Sequence, residues 1–240
     1  MLRQVFAFSG ILAGPGQRTS FDLVKHAISL AGIPVGEPVK VCYIPTAVGD
    51  SAQAVTATRE RMEAIPGLQF SALTLFTQPS VPDIRTHLLD QHVIFVEGGS
   101  VSNLMAVWRV HGLRPILREC WEEGVVLSGA SAGSLCWHIG GPTDSFRDEL
   151  DPFEDGMGIL PYSNGVHDDF PDQPRRRIYR EYVAEGTLPA GYASEDGVGL
   201  HYIDTELHEA VTIAEGKTGW WVEPGAEGTY IAKPVTTRLI

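Results

Sequence analysis

The sequence predicts an α/β fold in which helices cover both faces of a mostly parallel sheet. Over the first 140 residues, short runs of β-branched residues alternate with helix-like segments, and loops rich in glycine and proline separate them. This alternation stops after residue 140, where short strands and turns follow. We expect these late strands to add antiparallel pairs to the edge of the same sheet, so that residues 1–240 form a single domain.

Capping residues and apolar runs mark the elements of the first half. Thr19 and Ser20 are typical helix caps, Asp22 suits a first helical turn, and Pro66-Gly67 ends a helix. The predicted strands span residues 4–8, 39–44, 70–76, 92–96 and 125–128. The predicted helices span residues 19–30, 51–64, 84–89, 101–110, 114–123 and 132–139.

The second half has a different composition. Residues 141–175 are rich in Asp, Pro and Gly and show few regular segments, whereas residues 176–185 have a helical pattern. Turn-forming residues at 215–217 and 224–225 indicate hairpins. The strands predicted from these signals span residues 198–202, 210–213, 219–222 and 229–232.

Composition and charge exclude several classes of function. The 240 residues are 43% hydrophobic and 20% charged, as in ordinary globular proteins, and the net charge of −12 repels nucleic acid. The apolar runs are far shorter than the roughly 20 residues of a membrane span, and no cleavable signal pattern opens the chain, so we expect a cytoplasmic protein. The odd number of cysteines without CxxC spacing (Cys42, Cys120 and Cys136) indicates free buried thiols. Without close Cys or His pairs, the sequence predicts neither a metal nor another cofactor.

The stretch VVLSGASAGSLCW at residues 125–137 predicts a strand, a GxSxG turn and a helix. Small residues beside Ser131 allow the sharp turn that exposes a nucleophilic serine, and the N–H of Ala132 is then suited to bind an oxyanion. The same small residues would also allow close packing of a helix on a sheet. The strand before and the helix after the turn favour the nucleophile.

A glycine pair follows the preceding strand, in FVEGGS at residues 95–100. The carboxyl ends of neighbouring parallel strands meet at one edge of a sheet. We therefore expect Gly98 and Gly99 to bring backbone N–H groups close to Ser131, as the other half of an oxyanion hole.

His167, in a polar loop, is the candidate base for Ser131. His138 follows the serine by seven residues on the same predicted helix, which would carry it about 10 Å away. His201 and His208 are further candidates for this base. Two carboxylates qualify to orient the base, Asp144 and Glu195, and the residues alone do not decide between them.

Five motifs in order resemble peptidase family S51, the family of aspartyl dipeptidase (peptidase E) and cyanophycinase. They are FVEGGSVSNL at 95–104, SGASAGSLCW at 128–137, PTDSF at 142–146, GMGILP…VH at 156–167 and YASEDGVGLHY at 192–202. The resemblance implies a doubly wound α/β fold related to class I glutamine amidotransferases. It also implies Ser131 as nucleophile, His167 as base, and oxyanion N–H groups at Gly99 and Ala132. The aspartyl dipeptidase pattern points to Asp144 as the acid, and the cyanophycinase pattern points to Glu195.

The resemblance further implies a small peptide substrate with N-terminal aspartate, and a homodimer. A basic residue placed like Arg175 or Arg177 would bind the acidic side chain, since arginine grips a carboxylate with two hydrogen bonds. Val166 and Ser100 depart from the family pattern, where Pro and Asn are usual, and this affects specificity more than chemistry.

Three alternatives stay open. The first is a β-aspartyl peptidase like cyanophycinase. The second is an α/β-hydrolase esterase with His201 or His208 as base, which the absence of an HGGG-type stretch before Ser131 disfavours. The third is a binding protein that retains the serine turn without catalysis.

Overall fold

The structure is a computed structural model that describes residues 2–10 and 18–240. Its strands are β1 (Gln4–Phe8), β2 (Val39–Ile44), β3 (Leu68–Ala72), β4 (Val93–Val96), β5 (Val126–Ala130), β6 (Gly141–Thr143), β7 (Asp151–Phe153), β8 (Ser163–Val166), β9 (Gly191–Ser194), β10 (Val198–Ile203), β11 (Glu206–Thr212), β12 (Gly219–Pro224), β13 (Tyr230–Val235) and β14 (Thr237–Leu239). Its α-helices are α1 (Ser20–Ser29), α2 (Ala52–Glu63), α3 (Ile84–Leu89), α4 (Val101–Val110), α5 (Leu113–Glu122), α6 (Ala132–Leu135) and α7 (Arg175–Ala184).

An eight-stranded sheet forms the centre of the fold, in the order β14-β11-β10-β1-β5-β4-β2-β3. The five strands from β1 to β3 run parallel, and β10 joins β1 in antiparallel orientation, followed by antiparallel β11. The predicted mostly parallel α/β sheet, with antiparallel strands at its edge, is confirmed.

Helices pack on both faces of this sheet because its strands alternate their apolar side chains. Phe6, Phe8 and Phe95 lie on the face covered by α1 and α2, whereas Ala7 and Val96 lie on the face covered by α3, α4 and α5. Thr19 caps α1 as predicted: its side chain accepts from the N–H of Phe21, and Asp22 completes a capping box.

The prediction for the last strands is wrong in part. The strands β12 and β13 do not extend the central sheet but form a second sheet with β9 and β8, in the order β13-β12-β9-β8. Helix α7 covers this second sheet, and Tyr179 and Val183 pack there against Val222. The apolar face of α7 needs a partner, and this sheet supplies it.

Several element boundaries also differ from the sequence prediction, and those of β3 and α6 matter most for the site. The third strand spans Leu68–Ala72 rather than residues 70–76, and the helix after Ser131 ends at Leu135 rather than at residue 139. The carbonyl groups of Cys136, Trp137 and His138 instead accept hydrogen bonds from backbone N–H groups between Met157 and Leu160. This crossing segment ends α6 after one turn.

The predicted state of the cysteines is confirmed, since all three are free and buried. No helix in residues 2–10 and 18–240 is both long enough and apolar enough to cross a bilayer. Within the same ranges, His, Cys, Asp and Glu side chains form no group of three or more that could hold a metal ion.

Candidate active site

Ser131 lies at a sharp turn between β5 and α6, at the carboxyl edge of the central sheet. Its backbone is in an uncommon region, with φ of 53° and ψ of −111°. Its N–H donates to the carbonyl of Phe8 at the end of β1 (3.0 Å), and its carbonyl accepts from the N–H groups of Ser134 and Leu135. The turn therefore fixes the serine between two parallel strands and the first turn of α6.

The glycines around Ser131 are required by close backbone contacts. A Cβ atom at Gly129 would overlap the carbonyl of Gly133, and a Cβ atom at Gly133 would overlap the carbonyl of Val96 on β4. These contacts allow α6 to lie against the ends of β4 and β5. Gly129 and Gly133 thus allow α6 to pack closely on the sheet, and this packing presents Ser131 at the turn.

A chain of two short hydrogen bonds leads away from the serine. The Oγ atom of Ser131 lies 2.8 Å from Nε2 of His167, and Nδ1 of His167 lies 2.6 Å from Oδ1 of Asp196. The side chains of His167 and Asp196 are 19% and 13% exposed, so the pair is largely shielded from water. Serine, imidazole and carboxylate thus stand in the order and spacing of a nucleophile, a base and its orienting acid.

The structure brings neither of the predicted acids to His167. The carboxylate of Asp144 is bound to Arg175 (2.8 Å) and Gln173 (3.1 Å). Partial burial opposes ionisation of Asp144, but these two partners outweigh it and lower the pKa. Glu195 binds Arg176 (2.7 Å) and the N–H of Thr218 (3.1 Å).

Asp196 is the residue that the sequence prediction missed, although it is adjacent to Glu195. Strand β9 ends at Ser194, and the chain turns at Asp196 and Gly197. In this turn the carboxylate of Asp196 contacts His167, whereas that of Glu195 binds Arg176. No local pattern in the sequence separates these two neighbouring acids.

The end of β1 holds His167 in place. Ser9 accepts a hydrogen bond from the N–H of His167 (2.9 Å), and its hydroxyl also contacts the carbonyl of Ser194 (2.9 Å). At Gly10 a Cβ atom would overlap the imidazole of His167, so only glycine leaves room for the ring. His167 has a φ of 58°, which these contacts maintain.

Charged side chains connect the loops that carry the base and the acid. Arg176 donates to Asp168 (2.8 Å), which follows His167, and to Glu195 (2.7 Å), which precedes Asp196. Arg180 also donates to Asp168, whose side chain is fully buried. Asp169, held by Lys217, accepts from the N–H of Asp196 (2.8 Å).

The candidate oxyanion donors differ in their partners. The N–H of Gly98 donates to the carboxylate of Glu97 (3.1 Å) and is thus occupied. Within the described part of the chain, no acceptor takes the N–H of Gly99 or that of Ala132. Because α6 is only one turn long, these two N–H groups rather than a long helix are suited to stabilise an oxyanion.

Ser131 opens onto a cleft of about 640 Å³. Most of its described walls are apolar, and the ionisable side chains among them are Arg61, Glu97, His167 and Asp196. Arg175 and Arg177, the predicted substrate-binding residues, do not line this cleft; they pair with Asp144 and Glu181 instead.

The other histidines considered as a base, His138, His201 and His208, also lie outside this cleft. Nε2 of His201 donates to Oε1 of Gln4 (3.0 Å), and the ring of His201 packs against His208. His138 is fully buried, and burial lowers its pKa to about 4, so it stays neutral. The esterase alternative with His201 or His208 as base therefore lacks support in the geometry.

Comparison with known proteins identifies the family of this chain. The model of peptidase family S51 matches residues 11–210. This chain belongs to peptidase family S51. The uncharacterized peptidase YgaJ of Bacillus subtilis (strain 168) is 35% identical over 186 residues, which cover 78% of this chain and 79% of YgaJ.

Solved structures share the fold of this S51 peptidase chain. A Listeria monocytogenes EGD-e protein designated peptidase E superposes with a TM-score of 0.60 at 18% identity, covering 98% of this chain and 100% of that one. A peptidase from an acI-B1 actinobacterium gives a TM-score of 0.67 at 17% identity, covering 99% and 95%. At such low identity these likenesses concern the fold alone.

Proposed function

We propose that this S51 family member is a serine peptidase that hydrolyses short peptides through Ser131, His167 and Asp196. The observation that carries the proposal is the continuous hydrogen-bonded chain from the Oγ atom of Ser131 through both nitrogens of His167 to Asp196. Peptidase chemistry needs a nucleophile, a base and an orienting acid in this sequence of contacts.

In the proposed reaction, His167 takes the proton of Ser131 as the serine oxygen attacks the scissile carbonyl. The negative charge on the carbonyl oxygen is stabilised by the N–H groups of Gly99 and Ala132. Asp196 holds the imidazole and stabilises its charged form. His167 then protonates the leaving amine, and water hydrolyses the acyl-enzyme by the same route in reverse.

The finer proposal is a dipeptidase with a preference for N-terminal aspartate. Arg175 and Arg177 are paired elsewhere, so this preference now depends on Arg61, the arginine among the described residues that line the Ser131 cleft. A β-aspartyl preference is the alternative that the same cleft leaves open.

A peptide panel tests both levels of the proposal. Purified protein is incubated with Asp-Leu, Glu-Leu, Ala-Leu and β-aspartyl-leucine, and leucine release is followed. We expect Ser131→Ala to abolish release, and Ser29→Ala, an exposed serine on α1, to leave it unchanged. Hydrolysis that persists in Ser131→Ala would contradict the serine mechanism. Cleavage of other peptides without Asp-Leu would contradict only the aspartate preference.

A further inference from the structure

We propose that Glu97 binds the protonated α-amino group of the substrate and so restricts the enzyme to peptides with a free amino terminus. This inference rests on the proposed function, because it places the amino terminus next to the carbonyl that Ser131 attacks. It names the residue that recognises one end of the substrate.

Glu97 lies on the wall of the cleft that carries the nucleophile. It directly follows β4, and its N–H donates to the carbonyl of Ile44 (3.1 Å), which fixes its backbone. The next residue, Gly98, packs against Ser131: a Cβ atom at Gly98 would lie 3.2 Å from the Cβ of Ser131. Both Glu97 and Ser131 line the same cleft.

The Glu97 carboxylate is oriented by two neutral donors. The hydroxyl of Tyr43 donates to one oxygen (2.6 Å), and the N–H of Gly98 donates to the other (3.1 Å). Burial, and next the charge of Glu97, raise the pKa of Tyr43, so the tyrosine remains a neutral donor. These two hydrogen bonds fix the orientation of the carboxylate, and neither donor is a cation.

The charge of Glu97 is left without a counter-ion. Among residues 2–10 and 18–240, no lysine, arginine or histidine forms an ion pair with this half-buried side chain. A carboxylate has about four acceptor positions, so room for further donors remains. A partly buried charge is costly when unpaired, and an ammonium group in the cleft would supply the missing charge.

The other acidic group of the cleft is already occupied. Asp196 binds His167 through one oxygen. Glu97 is therefore the carboxylate in the described cleft that is suited to bind a cationic ligand.

The covalent geometry of a peptide agrees with this placement. The α-amino nitrogen is two bonds from the carbonyl carbon of the same residue, a separation of about 2.5 Å. An aminopeptidase or dipeptidase must therefore bind the ammonium group close to its nucleophile. Glu97 directly precedes Gly98, the glycine that packs on Ser131, and its position therefore meets this requirement.

The labelling rate of Ser131 by phosphonate probes tests the proposal without requiring turnover. The two probes are diphenyl phosphonate analogues of alanine, one with a free amino group and one N-acetylated. In each, the Ser131 oxygen forms a bond to phosphorus, phenoxide leaves, and His167 takes the serine proton. A simple alkyl fluorophosphonate, which has no amino group, reports the state of the triad.

We expect wild-type protein to react with the free-amine probe about 30-fold faster than with the acetylated one, as is typical for a charged hydrogen-bonded pair. Glu97→Gln should bring this ratio close to one and leave the alkyl probe rate unchanged. Tyr43→Phe, which frees the carboxylate from one donor, should lower the ratio less. Glu60→Gln, an exposed acid on the neighbouring α2, should behave as wild type.

The two levels of the proposal fail in different ways. An unchanged ratio in Glu97→Gln, or an equal loss with all three probes, would overturn the role of Glu97 and leave the serine mechanism standing. Absence of any labelling by the alkyl probe in wild-type protein would overturn the proposed function, and the role of Glu97 with it. The ratio should also fall above about pH 8, where an α-amino group loses its proton.

Discussion

Ser131 is positioned by backbone packing, whereas the loops that carry His167 and Asp196 are joined to each other by charged side chains of the neighbouring residues. On the serine side, which comprises residues 126–135, Gly129 and Gly133 allow the backbone contacts that set the turn. On the acid side, which comprises residues 167–169 and 194–196, Arg176 and Lys217 connect the loops.

This difference has consequences for sensitivity to change. Because the backbone contacts at Gly129 and Gly133 leave no space for an added atom, a substitution at either glycine should cause a large loss of stability. Partly exposed ion pairs contribute little each, so the acid side should lose function by degrees at Arg176. Larger losses are expected at Asp196, which contacts His167, and at Asp168, which is fully buried and paired with Arg180.

The largest effect is expected at Asp196. Replacement by Asn removes the charge that orients His167 and stabilises its protonated form, and we expect kcat/KM to fall by about 10⁴-fold. Asp144→Asn and Glu195→Gln serve as matched controls and should cost far less, because neither carboxylate contacts the imidazole. Steady-state kinetics on the best peptide of the panel measures all three. Equal losses in the three variants would contradict Asp196 as the orienting acid.

Gly133→Ala should destabilise the fold by more than about 3 kcal/mol, since the added methyl group meets the backbone carbonyl of Val96. Urea unfolding gives the change in free energy. Gly219→Ala is the control, because a Cβ there has its nearest neighbour at an ordinary contact distance of 3.4 Å. Comparable stability of the two variants would show that the serine turn has more room than its contacts indicate.

Acid should destabilise the fold through His138, which follows the serine side by three residues. Burial lowers its pKa to about 4, so below its unfolded pKa of about 6.5 the unfolded state binds the proton first. The contribution of neutral His138 to the free energy of unfolding is thus complete above pH 6.5. It is lost as the pH falls toward 4, at up to about 1.4 kcal/mol per pH unit. His201, whose pKa burial and then His208 lower to about 4, adds a similar slope.

Urea unfolding midpoints between pH 7 and pH 4.5 measure this slope. His138→Gln and His201→Gln should each reduce this slope, by up to about 1.4 kcal/mol per pH unit, whatever the stability of the variants at pH 7. A slope that is unchanged in both variants would assign the acid sensitivity to other groups.

The smallest effect is expected at Arg176, whose side chain is 47% exposed. Arg176→Gln loosens the connection between Asp168 and Glu195, and we expect kcat to fall by about fivefold to tenfold with little change in KM. Arg177→Gln on the same helix, which loses only its pair with Glu181, should retain activity. A change in KM alone would indicate that Arg176 acts on substrate binding rather than on the triad loops.

The sequence predicted the serine side better than the acid side, and the cause is physical. Glycines beside a serine between a strand and a helix are local signals, so the turn, Ser131 and its position on the sheet edge could be predicted. His167 was found because its loop lacked any other periodic role. The geometry of both residues agrees with these predictions.

The choice of acid depends on contacts between residues far apart in the chain. The carboxylate of Asp144 is bound by Arg175, 31 positions away, and that of Glu195 is bound by Arg176, 19 positions away. Neither carboxylate therefore contacts His167. The turn that follows β9 then decides whether Glu195 or Asp196 contacts His167. The same limit explains the second sheet, since turn residues predict hairpins but not the sheet that β12 joins.

The rate of Ser131 labelling by an alkyl fluorophosphonate, with the adduct located by mass spectrometry, reports on the nucleophile and its base in one experiment. We predict a single adduct on Ser131 in wild-type protein, none in Ser131→Ala, and labelling slowed by about 10³-fold or more in His167→Ala. His208→Ala should react like wild type. An adduct on another residue, or an equal rate in His167→Ala, would contradict the assignment of Ser131 and His167 as nucleophile and base.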